Sequence, residues 1–180
     1  MKKSRKCERR KNMKLLILSD SHGSSYNMES AIRRHPDADA VFFLGDGADE
    51  YDSRKKKHPE LAFFAVAGNC DIGASVAYGL RAAEEITLEG KRIFYCHGHT
   101  YSVKHGLDNI ISAARSREAD VVLFGHTHTP LERYIPEDEE GRALYLVNPG
   151  SIGGRGDDGK CSYAIITIQD GNVLISHGTV

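Results

Sequence analysis

The 180-residue sequence has no tryptophan, few cysteines and no long apolar run. Its four cysteines are widely separated and form no C-x-x-C pair, which argues against a disulfide framework and against a zinc knuckle. The longest apolar stretches, such as residues 61–67, fall far short of the roughly 20 residues that a membrane-spanning helix needs. We therefore expect a soluble protein with no membrane partner, in a reducing cytoplasm.

Charge is unevenly distributed, although the formal net charge is only -1. The first 12 residues contain seven Lys or Arg and one Glu, so the rest of the chain carries a net charge of -7. The apolar run behind this basic segment, residues 15–18, is too short for a signal peptide. We expect residues 1–12 to be a disordered extension and residues 13–180 to be one domain. The acidic body argues against nucleic acid as a partner.

Short apolar runs alternate with polar, glycine-containing corners, which is typical of an α/β fold. Five nearly continuous apolar runs predict buried core strands at residues 14–18, 40–44, 62–67, 91–96 and 120–124. A helix is predicted to begin after Ser24 or Ser25 and to stop at Pro36. A second helix is predicted by the i, i+3, i+4, i+7 spacing of Leu107, Ile110, Ile111 and Ala114.

Hairpins are predicted where strand-like runs flank turn residues. Residues 86–88 face residues 91–96 across Glu89-Gly90, and the strands near the end of the chain are joined by turns such as Asp170-Gly171. The predicted late strands are residues 131–135, 143–147, 163–168 and 173–176. Antiparallel hairpins added to crossover helices predict mixed sheets.

Each of the five core strands runs into a short cluster of Asp, Asn or His. The clusters are S-D-S-H (19–22), G-D-G-A-D (45–49), G-N-C-D (68–71), H-G-H (97–99) and G-H-T-H (125–128). The carboxyl ends of strands in α/β sheets gather at one edge, so the five clusters are expected to meet in a crevice. Imidazoles and carboxylates brought together in this way need a compensating charge, which divalent cations usually supply.

The mixed nitrogen and oxygen donors favour Mn, Fe, Ni, Zn or Mg over a thiolate site. Seven candidate ligands exceed the need of one tetrahedral ion, whereas two ions that share one carboxylate would use them. Asp49 and Asp71, in the same clusters, are expected to be structural, for instance by orienting a ligand histidine. Arg155 lies in a glycine-rich loop and is a candidate substrate contact.

The ordered set D-x-H, G-D, G-N, H-G-H and G-H-T-H resembles the calcineurin-like metallophosphoesterases, specifically their small bacterial and archaeal phosphodiesterase branch, over residues 13–168. Residues 148–151, N-P-G-S, also resemble a loop of that family. The resemblance implies an α/β fold built as a four-layer αββα sandwich with two mixed β-sheets.

The resemblance also implies a binuclear metal centre. One cation would be held by Asp20, His22 and His128. The other would be held by Asn69, His97 and His126. Asp46 would bridge the two cations, for which manganese is expected first, with nickel, iron, zinc and magnesium as alternatives. Two such cations with two aspartates and one hydroxide leave a net charge of +1, which suits an anionic phosphoester.

The implied reaction is hydrolysis of a small phosphodiester by in-line attack of a hydroxide that bridges the two metals. The catalytic candidates are Asn69, which would orient the phosphate, His97 and His99. Many larger relatives have a histidine general acid directly after the G-N, where this chain has Cys70, and a thiol with a pKa of about 8.5 suits that role less well. His99, two residues after His97, is the substitute general acid, unless a good leaving group needs none.

Two other functions remain open. The same fold serves as a scaffold subunit in membrane-coat assembly, where relatives lose key ligands, whereas D-x-H, Asn69 and both histidines of G-H-T-H are intact here. A phosphomonoesterase is the other alternative, because a cation pair does not itself distinguish one phosphate substituent from two. A homo-oligomer is compatible with the sequence.

Overall fold

The structure is a computed structural model that describes residues 12–180 except residues 138, 140 and 157. Residues 1–11 of the predicted basic extension lie outside the described residues, so its disorder stays a prediction. None of the helices described is both long enough and apolar enough to cross a membrane.

The described part of the chain contains three α-helices and ten strands. The helices are α1 (Ser25–Arg34), α2 (Ala48–Lys57) and α3 (Asp108–Arg115). The strands are β1 (Met13–Leu18), β2 (Ala40–Phe43), β3 (Ala62–Ala65), β4 (Ala83–Leu88), β5 (Lys91–Cys96), β6 (Val121–Leu123), β7 (Pro130–Ile135), β8 (Leu144–Pro149), β9 (Ser162–Gln169) and β10 (Asn172–Thr179). Two short 3-10 helices lie at Ser75–Gly79 and His99–Tyr101.

The strands form two five-stranded mixed sheets. The first sheet has the order β10-β9-β1-β2-β3, in which β1, β2 and β3 run parallel and β9 pairs antiparallel with β1. The second has the order β4-β5-β6-β8-β7, in which β5, β6 and β8 run parallel. The predicted hairpins are present, and positive φ angles at Glu89-Gly90 and Asp170-Gly171 fit the tight turns that join twisted strands.

Alternating side chains build four layers. Leu15 and Ile17 of β1 point into a core shared with Ile93 and Tyr95 of the second sheet. Leu16 and Leu18 point the other way, into a core that contains residues of α1 and α2. The outer face of the second sheet packs against α3 in a third core. The predicted αββα sandwich with two mixed sheets is therefore confirmed.

Helix α2 was not predicted, because its sequence has almost no apolar periodicity and buries only Ala48 and Tyr51. Strand β3 is at the edge of its sheet with Ala62 exposed, so the prediction of a fully buried strand there is wrong. An apolar run in the sequence does not by itself show whether a strand lies at the edge or in the centre of its sheet. Ser24 precedes α1, but its side chain makes no capping hydrogen bond.

Candidate metal centre

The five ligand clusters meet where the carboxyl ends of β1, β2 and β3 in one sheet adjoin those of β5 and β6 in the other. The backbone there adopts unusual conformations. Positive φ angles, rare for residues other than glycine, occur at Asp20, His22, Asp46, His126 and His128. Each such conformation costs about 1–3 kcal/mol and persists where the surrounding structure enforces it, most often at functional sites.

Asp20 is fully buried and its two carboxylate oxygens have different surroundings. Oδ2 accepts hydrogen bonds from the Ser19 hydroxyl and from the His126 backbone N–H. Oδ1 is buried and receives no well-formed hydrogen bond. Its neighbours are imidazole nitrogens, with Nε2 of His128 at 3.1 Å and Nε2 of His22 at 3.8 Å. A buried carboxylate oxygen left in this state needs a positive charge.

The two carboxylate oxygens of Asp46 also have different partners. Oδ1 accepts the backbone N–H of Cys70 at 2.7 Å. Oδ2 lies 3.5 Å from Nε2 of His97 and 3.8 Å from Nε2 of His22. Each of the two aspartates therefore uses one oxygen to fix a loop and turns the other toward a common group of imidazoles.

His97 is oriented by the end of a neighbouring strand. Its Nδ1 lies 2.7 Å from the carbonyl oxygen of Leu44, which fixes the proton on Nδ1 and directs Nε2 inward. The amide oxygen of Asn69 lies 3.1 Å from that Nε2. Nδ1 of His128 likewise lies 3.3 Å from the carbonyl oxygen of Arg155. In both side chains the inward nitrogen is the one that a metal ion would use.

Burial and opposite charge compete in setting the pKa values of this group: the pKa values of His97 and His128 are raised, whereas burial lowers that of His22. Burial lowers the pKa of His97, but the hydrogen bond with Asp46 and the charges of Asp46 and Asp20 outweigh it, so the pKa is raised. The interaction with Asp20 raises the pKa of His128. Burial alone would raise the pKa of Asp46, yet its contact with His97 holds that pKa below the ordinary value. Divalent cations can replace these protons, so the donor set fits the metals that the sequence predicted.

Three compact groups of potential metal-binding atoms occur in the described residues. They are Asp20, His22 and His128; Asp20, Asp46 and His97; and His22, Asp46 and Cys70, and within each group the candidate donor atoms lie no more than 4.8 Å apart. The structure thus brings together five of the seven predicted ligands directly. Asn69 joins them through its contact with His97.

The rings of His126 and His99 lie at the side of the centre. The ring of His126 is 5.0 Å from the ring of His97, and that of His99 is 5.3 Å from it. Burial and the charges of His97 and Lys104 lower the pKa of His126 to about 4. Burial, with the charge of His97, also lowers the pKa of His99, and its buried Nδ1 has no hydrogen-bond partner.

Asp71 supports the loops differently from the prediction. Its carboxylate accepts four backbone N–H groups, from Gly68 and from three successive residues that begin at Asp46. The hypothesis that it orients a ligand histidine is wrong, because its contacts hold the backbone of two ligand loops. Asp49 is exposed in the first turn of α2. The role of Asp71 was missed because an aspartate after glycine is an ordinary turn residue, and its sequence position does not show contacts with a second loop.

The sequence analysis assigned no role to two other residues around the centre, although it noted residues 148–151 as a loop that resembles one of the family. Asn148 is fully buried at the end of β8, and its side chain donates to the carbonyl oxygen of Gly125 and to the hydroxyl of Thr127. It thereby fixes the G-H-T-H loop. Lys104 is exposed, and its charge lowers the pKa of both His126 and His128. A polar residue after a strand was a usable signal for Asn148, whereas nothing in the sequence around Lys104 marked it.

Similar proteins are found in bacteria and beyond. The probable metallophosphoesterase YsnB of Bacillus subtilis (strain 168) is 33% identical over 159 residues, which cover 88% of this chain and 86% of the relative. The phosphodiesterase YfcE of Escherichia coli (strain K12) is 28% identical over 181 residues, with 90% of each chain covered.

Solved structures show the same architecture. A conserved uncharacterized protein of Streptococcus pneumoniae TIGR4, described as a predicted phosphoesterase, has a TM-score of 0.76 at 28% identity and covers 94% of this chain and 90% of its own. Vacuolar Protein Sorting 29 of Cryptosporidium parvum has a TM-score of 0.68 at 16% identity, over 94% of this chain and 98% of its own, a likeness of fold alone. Residues 13–171 match the model of the calcineurin-like phosphoesterase superfamily domain, and the chain therefore belongs to that superfamily.

Proposed function

We propose that this protein is a metal-dependent phosphodiesterase that hydrolyses small phosphodiesters. The observation that carries the proposal is the pair of inward carboxylate oxygens, Asp20 Oδ1 and Asp46 Oδ2, which face imidazole nitrogens on loops of both sheets. Membership of a phosphoesterase superfamily and the similarity to a phosphodiesterase support the same reaction. We also propose, from the sequence alone, a cytoplasmic location.

Two divalent cations, manganese first, are proposed for this centre. One cation would be held by Asp20, His22 and His128. The other would be held by Asn69, His97 and His126. Asp46 would be a ligand of both cations. When bound, the cations would supply positive charge for the phosphoryl oxygens and a hydroxide nucleophile between them. The compact group formed by Asp20, His22 and His128 supports the first ligand set.

The remaining catalytic work falls to side chains of the chain itself. The amide of Asn69 is half-buried beside His97 Nε2, where it can orient a phosphoryl oxygen. His97 is held by Leu44 and positions the carboxylate of Asp46. His99 stands beside them, and its lowered pKa favours a neutral imidazole that donates a hydrogen bond to a leaving oxygen over a strong acid.

Turnover of bis(p-nitrophenyl) phosphate by manganese-loaded protein tests the proposal. Asp46→Asn and His97→Ala are expected to lower kcat/KM by about 100-fold or more, since each removes a donor atom. Asp49→Asn and His105→Ala, at exposed positions, are the matched controls. A wild-type protein that hydrolyses no phosphoester with any of manganese, nickel, iron, zinc or magnesium would instead indicate a scaffold.

A phosphomonoesterase is the second candidate, favoured by the charges near the histidines. Lys104 acts on His126 and His128, and the charge of Arg155 acts on His22. The exposed, positively charged side chains of Lys104 and Arg155 would attract the second negative charge of a phosphomonoester. The ratio of kcat/KM for p-nitrophenyl phosphate to that for the bis ester, on one metal-loaded sample, decides between the two.

A further inference from the structure

We propose that Cys70 is an additional ligand of this centre, on the side of His22 and Asp46, and that its sulfur binds cations that accept thiolate ligands, such as cobalt or cadmium. The inference rests on the proposed metal centre and extends it by a donor of a different chemical class. A thiolate donor favours softer cations than a site of oxygen and nitrogen ligands alone does.

The position of the thiol supports this assignment. Sγ of Cys70, Nε2 or Nδ1 of His22 and a carboxylate oxygen of Asp46 form a group in which all donor atoms lie within 4.8 Å of one another. The backbone of Cys70 is fixed beside the carboxylate, because its N–H donates to Asp46 Oδ1 at 2.7 Å. The sulfur of this short side chain, on a backbone fixed by Asp46, therefore lies beside the other two donor atoms.

A second observation points to a cation at the same place. Asp20 Oδ1 is fully buried, receives no well-formed hydrogen bond and lies 3.8 Å from His22 Nε2. His22 Nε2 is also 3.8 Å from Asp46 Oδ2. His22 therefore belongs both to the group with Asp20 and to the group with Asp46 and Cys70, so a cation held by His22 and Asp46 would lie beside the sulfur of Cys70.

The sulfur of Cys70 is accessible from solvent. Cys70 is exposed, and the amide nitrogen of Asn69 contacts its sulfur at 3.3 Å. When the sulfur–metal bond forms, the S–H bond breaks and the proton passes to solvent, with no change of oxidation state. Cys96, in contrast, is buried in the core around α3, and Cys161 lies 3.1 Å from the amide nitrogen of Asn27.

Absorption spectra of the metal-free protein titrated with Co²⁺ test the proposal. The wild-type protein should develop visible d–d bands and, in the near ultraviolet, a sulfur-to-cobalt charge-transfer band. Cys70→Ser should keep the d–d bands and lose the charge-transfer band, whereas Cys161→Ser should keep both. Cobalt content per chain is measured on the same samples, and circular dichroism confirms that each variant is folded.

The outcomes separate this inference from the proposed centre. Cobalt bound with d–d bands but without the charge-transfer band in the wild type would overturn the role of Cys70 and leave the metal centre intact. A charge-transfer band that survives in Cys70→Ser would also overturn it. Failure of the wild-type protein to bind cobalt at all would overturn the role of Cys70. The manganese content per chain after equilibration with Mn²⁺ then decides separately whether the proposed centre forms, and its absence would overturn that proposal too.

Discussion

The carboxylate of Asp71 holds the backbone of Asp46, since its Oδ2 accepts the Asp46 N–H at 2.9 Å. The same oxygen accepts the N–H of Gly68 at 2.7 Å, so one atom joins the loop after β2 to the loop after β3. A residue outside the proposed ligand set thus sets the position of two ligand loops.

Asp71→Asn is expected to destabilise the protein. The amide nitrogen of asparagine would face two of the N–H groups that the carboxylate now accepts, and leaving them unpaired in a buried site costs about 3 kcal/mol. The free energy of unfolding in urea measures the effect. Asp49→Asn, at an exposed position nearby, should change it by less than about 0.5 kcal/mol. Equal stability of the two variants would contradict this account of Asp71.

Gly68→Ala is expected to abolish manganese binding. A Cβ at Gly68 would overlap Oδ1 and the backbone nitrogen of Asp46, so the carboxylate would have to move. Gly79→Ala is the control, because a Cβ there meets nothing within 4 Å. Isothermal titration with Mn²⁺ compares the two variants. Wild-type affinity in Gly68→Ala would mean that Asp46 is not a ligand or that the loop adjusts without cost.

Asn148→Ala is expected to weaken manganese binding by about 10- to 100-fold, as loss of groups that orient metal ligands commonly does. The substitution removes the amide that donates to Gly125 and to Thr127, between the histidines of the G-H-T-H loop. Asn172→Ala, at an exposed position that begins β10, should leave the affinity unchanged. The dissociation constant for Mn²⁺ is the quantity to compare, and identical values for both variants would remove Asn148 from the supporting structure.

Glu29 should make the free energy of unfolding depend on pH in the acidic range, between about 4.5 and about 2. Burial alone would raise its pKa, but Lys57 and His58 outweigh burial and lower it to about 2, and Arg54 contacts it at 2.9 Å. A depressed folded-state pKa gives stability that is present above the unfolded-state value near 4.5 and is lost as the pH falls toward 2. The loss is about 2–3 kcal/mol.

Glu29→Gln isolates this contribution. The difference in unfolding free energy between wild type and variant should be largest at neutral pH. It should fall as the pH drops from about 4.5 to about 2, because Glu29 is then protonated in the unfolded state and becomes protonated in the folded state as well. Glu132→Gln, at an exposed position on β7, serves as the control. If the difference in unfolding free energy between wild type and Glu29→Gln stays constant from pH 7 to about pH 2, the charge of Glu29 does not stabilise the contact between α1 and α2.

Much of the fold could be predicted because its core strands are short, nearly continuous apolar runs. The Asp, Asn and His clusters could be located because each directly follows such a run, as Asp20 follows β1 and His97 follows β5. The division into two sheets could not be predicted from these runs, since β1 and β5 look alike in sequence yet belong to different layers. The supporting contacts of Asp71 and Asn148 depend on long-range packing, which periodicity does not encode.

The proposed ligands come from both halves of the sandwich, with Asp20 and Asp46 on loops of the first sheet and His97 on a loop of the second. Cations bound between them would join the two layers, and by linkage their binding free energy would add to that of interlayer packing. Phe42 and Tyr95, whose rings meet edge to face 5.1 Å apart in the middle of that packing, then become determinants of metal affinity although neither offers a donor atom.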